Sequence, residues 1–105
     1  EVMRRHARLI NPVHCKDVRP DVLRKGREGD MRFLNAVLEG VFTVPGDGCV
    51  DYYAFTRLLA EIGYEGWAVV EAEQDPAKAP PLEYSRMGLK HLQAAFSAAN
   101  FERVD

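Results

Sequence analysis

The sequence predicts an α/β fold built on parallel strands. Three observations carry that prediction. Short apolar runs, Leu9–Cys15 and Trp67–Glu71, each end in polar or charged residues. Between and after them lie stretches with apolar residues at helical spacing. Strands alternating with helices imply a parallel arrangement, because a parallel pair needs a crossover connection.

The elements follow in order. Residues 1–8 are charged helix formers and read as the end of a helix. Leu9–Cys15 reads as a buried strand, although Pro12 cannot donate to a sheet ladder and places that strand at an edge, distorts it or shortens it. Arg19-Pro20-Asp21 starts a short helix to Lys25, ended by Gly26 and Gly29. Asp30 is placed to cap a helix from Met31 to Leu38, with Phe33, Leu34, Val37 and Leu38 on its apolar side. Val41–Val44 is extended, and Pro45-Gly46-Asp47-Gly48 turns.

Asp51 then caps an amphipathic helix to Ile62, with Phe55, Leu58, Leu59 and Ile62 in the i, i+3, i+4, i+7 pattern, stopped by Gly63. Trp67–Glu71 reads as a parallel strand buried on both faces. A proline-bearing loop leads to a last helix from Leu82 to Ala99, with Leu89, Leu92 and Phe96 on one side. Trp67, Tyr52, Tyr53 and Tyr64 are expected in core or loop packing, and His6 and His91 in surface or structural roles.

Composition narrows the function. The 105 residues carry a net charge of −2 with both signs interspersed, which argues against a nucleic-acid partner. The basic run Met3–Arg8 fits a solvated helix face. No apolar stretch approaches the roughly 20 residues of a membrane span, so no membrane partner is expected. Cys15 and Cys49 lie outside any CxxC and read as free thiols of a reducing compartment, so the expected location is cytoplasmic. Residues 1–105 are expected to form a single partial domain. Glu1 opens inside a helical pattern, and two main strands leave sheet edges to be covered by further residues or partner chains.

Two motifs carry possible chemistry. Val13-His14-Cys15-Lys16-Asp17-Val18-Arg19 crowds polar groups just after a strand, where parallel α/β folds collect their functional side chains. A neutral imidazole at His14 suits a transition metal. From spacing alone, a hydrogen-bonded buried histidine before a solvated turn is the favoured reading. Val69-Val70-Glu71-Ala72-Glu73 puts two carboxylates at a second strand end, on one face if the strand continues. By itself that pair is also compatible with an acidic strand-to-loop transition in water. Cys15 alternates away from His14 and reads as a structural thiol. The PGDG turn lacks the Lys-Ser/Thr of a phosphate-binding loop.

The stretches HCKDVRPDVL, GVFTVPGDGCVDY and GYEGWAVVEAEQDPAKAPPLEYSRMG resemble inosose dehydratases, members of the xylose-isomerase-like TIM barrels. The resemblance spans about Leu9 to Gly88. It implies the C-terminal part of a (β/α)8 barrel, about its last two strand–helix units; a whole barrel is about 250 residues. It also implies a divalent metal, Mn2+ or Co2+, with His14 and Glu71 as ligands and the remaining ligands upstream. Glu71 and Lys16 are then the catalytic candidates, and Lys16, Asp17, Arg19 and Glu73 the substrate-binding ones.

The implied reaction is dehydration of 2-keto-myo-inositol (inosose), a small cyclitol, in inositol catabolism. The chain by itself is expected to be inactive, and to form a homo-oligomer or associate with the rest of a barrel. Relatives of this kind usually carry His-x-His, whereas Pro12 stands at the first of those positions. The alternatives are a sugar isomerase or epimerase of the same superfamily, or a non-catalytic interaction module.

Overall fold

Two helices packed on one face of a two-stranded parallel sheet form the core of this computed structural model, which describes residues 1–104. In chain order the elements are α1 (Val2–Arg5), a 3-10 turn (Ala7–Leu9), β1 (Val13–Cys15), β2 (Asp17–Val18), α2 (Pro20–Glu28), α3 (Phe33–Leu38), β3 (Phe42–Thr43), α4 (Tyr52–Glu61), β4 (Ala68–Val70) and α5 (Pro81–Ala98).

β1 pairs with β4 in parallel, with Val13 opposite Ala68, His14 opposite Val69 and Cys15 opposite Val70. The ladder is extended at both ends by the bonds Val13 N–H to Trp67 O (3.1 Å) and Glu71 N–H to Cys15 O (2.9 Å). Pro12 is resolved by shortening: the strand begins one residue after it, where every amide can donate. The Asn11–Pro12 peptide is cis.

Strand alternation sorts the side chains. Val13, Cys15 and Val70 face α4 and α5, joining Tyr52, Leu59, Tyr64, Leu92 and Ala95 in the core. Asp51 caps α4, its carboxylate accepting from the Ala54 amide at 3.0 Å. Thr56 is buried on the α4 face and donates to the Ala95 carbonyl at 2.9 Å, tying α4 to α5 where the helical pattern marks only the apolar positions. Gly88 lets α5 approach closely, since a Cβ there would lie 2.9 Å from Val44 Cβ.

Several expectations are corrected. β4 is covered on one face only: Val69 is 38% exposed and Trp67 78% exposed, so the apolar run is not buried on both faces and Trp67 is not a packing residue among the described residues. Leu89 likewise points largely to solvent while Leu92 is buried. Helix α2 runs through Gly26 to Glu28 and stops at Gly29, because one interior glycine costs only about 1 kcal/mol. Asp30 does not cap α3. It takes a left-handed conformation (φ 49°) in the connecting turn, and the helix starts at Phe33 after Arg32.

The sequence reading has no counterpart for β2. Asp17–Val18 pairs antiparallel with β3, Asp17 opposite Thr43 and Val18 opposite Phe42. The extended Val41–Val44 segment is thereby fastened beside the exit of β1.

Candidate functional site

The open face of the parallel pair carries the charged residues. His14 from β1 and Lys16 from its exit alternate onto it, with Val69, Glu71 and Glu73 from β4 and its continuation. The register places His14 opposite Val69, so Glu71, two residues further on, is its diagonal neighbour on the same face. His14 Nδ1 and Glu71 Oε1 are hydrogen-bonded.

Lys16 completes the group. Its ammonium lies 3.1 Å from Glu73 Oε2 and 3.4 Å from Glu71 Oε2. The hydrogen bond from His14, followed by the one from Lys16, holds the Glu71 carboxyl below its ordinary value. Lys16 is raised, chiefly by its hydrogen bond to Glu73, so the ammonium stays charged across the physiological range. The Lys16 backbone is anchored as well: its carbonyl accepts from the Tyr52 hydroxyl. Burial in turn pushes the Tyr52 phenol up.

Four of the sequence-derived residues thus converge: His14, Lys16, Glu71 and Glu73. Asp17 and Arg19 are engaged elsewhere. Asp17 is 1% exposed, and its Oδ1 accepts from the amides of Val18 (2.8 Å) and Val50 (2.9 Å). A Cβ at Gly48 would sit 2.3 Å from that oxygen, so the turn closes on Asp17 only because residue 48 is glycine. This geometry is that of a loop anchor rather than of a group open to a ligand.

Arg19 donates to Asp47 Oδ2 (2.7 Å) and to the Gly40 carbonyl (2.9 Å). Thr43 donates to the same Asp47 oxygen at 2.6 Å, and Gln74 Nε2 donates to Thr43 at 3.3 Å. This network links the PGDG turn to the segment that carries Glu71 and Glu73. Its members Thr43, Asp47 and Gln74 escape the sequence reading, which takes PGDG for an ordinary turn; the only signal is an acidic residue inside it.

Phe42 is also absent from that reading. Its ring lies beneath the Lys16 ammonium, 4.8 Å from Nζ to centroid. Cys15 is buried on the opposite face as a structural thiol, and burial pushes it up to about 11. His91 packs edge-on against Tyr52 and Tyr53 beside Gly46, which is a structural role.

His14 and Glu71 offer a borderline nitrogen and a hard oxygen, donor types that divalent cations take. A third protein donor is not beside them among the described residues. The pair therefore fits part of a metal shell.

Residues 1–95 match the family described as xylose isomerase-like TIM barrel. The chain belongs to that family. The parallel β1–β4 pair with α4 and α5 on one face is then a partial barrel.

The chain is similar to the rhizopine catabolism protein MocC of Rhizobium meliloti, 60% identical over 97 residues, covering 92% of this chain and 30% of that protein. It is similar to the inosose dehydratases of Clostridium beijerinckii (49% identical over 92 residues) and Clostridium tetani (50% over 92 residues), covering 88% of this chain and 31% of each. The chain thus spans about 30% of the length of the curated relatives it matches. No described helix is long and apolar enough to cross a membrane.

Proposed function

We propose that this chain contributes the late-strand part of the active site of a metal-dependent hydro-lyase that dehydrates inosose. The observation that carries the proposal is the meeting of His14 and Glu71 from adjacent parallel strands on the uncovered sheet face. Family membership and relatives named inosose dehydratase give that pair its chemical context.

In this reading His14 and Glu71 hold a divalent cation, manganese or cobalt, together with donors from the remainder of a barrel. When bound, such a cation supplies Lewis acidity to a ketone oxygen, which makes the neighbouring C–H acidic. The Glu71 carboxylate, favoured in its ionised form by its partners, is the base placed to accept that proton. The C=C bond then forms as the C–O bond to the neighbouring hydroxyl breaks, and the hydroxyl takes up the proton held by Glu71 and leaves as water. The Lys16 ammonium binds a substrate oxygen, with Glu73 as its paired carboxylate. Asp17 and Arg19 act by fixing the turn over 45–50 rather than by touching substrate.

A graft tests this. Residues 1–95 replace the matching segment of the Clostridium beijerinckii inosose dehydratase, and loss of water from 2-keto-myo-inositol is followed. The graft is expected to turn over, while His14→Ala and Glu71→Gln each lose more than about 100-fold, beyond the usual effect of losing a residue that only supports a ligand. A graft that binds Mn2+ equally well with and without His14 rejects the reading. The 105-residue chain alone is expected to be inactive.

The 60% identity to a rhizopine catabolism protein favours a second reading, in which the same site acts on a compound of that catabolism instead of inosose. Assaying the graft on both substrates separates the two.

A further inference from the structure

The two carboxylates beside Lys16 do not by themselves fix its ammonium. Lys16 is a flexible four-carbon side chain, 39% exposed, and Glu73 is exposed as well. Exposed lysine–carboxylate pairs are weak and exchange with water. A third partner closes the arrangement. The Phe42 ring presents its face to Nζ at 4.8 Å, within the range where the ring quadrupole attracts a cation.

Phe42 is itself held from two directions. Its backbone pairs with Val18 through the β2–β3 ladder, directly beyond the Lys16–Asp17 step. Its ring packs at 5.8 Å and 55° against Phe33, the first residue of α3. Phe42 and Phe33 also line an open apolar concavity of about 510 Å3 with Val18, Leu23, Met31 and Val41. The α2–α3 stretch, inserted between β2 and β3, therefore reaches the charged face through one aromatic contact.

We propose that Phe42 is the positioning residue for the Lys16 ammonium: its ring face holds Nζ between Glu71 and Glu73. The proposal rests on the reading of Lys16 as a working residue of the site. What matters is the π-face, not side-chain volume. Leucine fills similar space without a quadrupole, whereas tyrosine and tryptophan keep it.

The test uses NMR on the 105-residue chain. In the wild type, the Lys16 Hε resonances are expected upfield of ordinary lysine positions through the ring current, with cross-relaxation to the Phe42 ring protons. Phe42→Leu is expected to return those resonances to ordinary lysine positions, and Phe42→Tyr to keep them upfield. Lys16 Hε at ordinary positions in the wild type, with no cross-relaxation to Phe42, overturns the proposal; this arm needs no variant to fold.

In the inosose dehydratase graft, Phe42→Leu is expected to lower turnover about threefold to tenfold, the range of a partly exposed cation–π contact, with Phe42→Tyr restoring it. Equal losses in Phe42→Leu and Phe42→Tyr would show a packing role and overturn positioning. Lys16→Met in the same graft reads the other claim. Full turnover there removes Lys16 from the chemistry, while the ring-current shift still reports where Phe42 holds it.

Discussion

His14 and Cys15 are sequence neighbours with opposite surroundings. Strand alternation turns the imidazole onto the uncovered face and the thiol into the core, where it is 1% exposed. Burial, followed by the charge of Glu71, pushes that thiol up to about 11, so it stays protonated and sheltered near neutral pH. Cys49 is exposed. Native protein treated with iodoacetamide at pH 8 is therefore expected to gain one carbamidomethyl group, on Cys49, and a second only on unfolding; peptide mass spectrometry checks this. Polar residues after a strand were legible as a group. The resemblance already paired His14 with Glu71, but that Lys16 joins them while Asp17 and Arg19 turn away was not legible, because that depends on contacts between residues as far apart as the 57 positions from Lys16 to Glu73.

Between elements, the decisive contacts run from side chains to backbone. Asp17 holds the 45–50 turn by accepting from the Val18 and Val50 amides inside the protein. Removing a buried acceptor strands those donors and costs about 1–3 kcal/mol. Asp17→Ala is expected to lower urea stability by that amount. Asp17→Asn, which keeps one acceptor oxygen, is expected to lower it less. The sequence shows an aspartate in a polar cluster; only the fold shows that its partners are backbone amides.

At the outer edge, Arg4 of α1 meets Glu61, the last residue of α4, through two hydrogen bonds of 2.8 and 3.0 Å. The hydrogen bond from Arg4 holds the Glu61 carboxyl below its ordinary value. Its contribution to stability is therefore present above the unfolded-state value and lost as pH falls through the depressed one. Both groups are exposed and the contribution is small. Glu61→Gln is expected to melt slightly below the wild type at pH 7, with the gap closing as pH falls below the ordinary carboxylate range.

For the whole molecule, shape is informative. The Cα radius of gyration is 15.0 Å, against about 13 Å for a compact domain of this length. β1 and β4 pair only with each other among the described residues, so each keeps an open edge, and Trp67 and Val69 remain exposed beside them. Open parallel edges next to apolar surface favour pairing with another chain. Sedimentation velocity at rising concentration is expected to show self-association; a monodisperse monomer at high micromolar concentration contradicts it.

The sequence by itself determined the alternation of strand and helix, the α4 cap at Asp51, and the two strand ends where His14, Lys16, Glu71 and Glu73 gather. Local pattern suffices for these, because helix periodicity, capping and strand termini are written within a few residues. It also carried the family resemblance, through motifs written within short stretches of the chain. Tertiary structure alone decided that β4 is half-covered, that Asp17 and Arg19 turn to the PGDG loop, and that Phe42 lies under Lys16. Each depends on which distant segment arrives opposite a residue, and contacts such as Arg19–Asp47, 28 positions apart, and Asp17–Val50, 33 positions apart, leave no periodic trace in the chain.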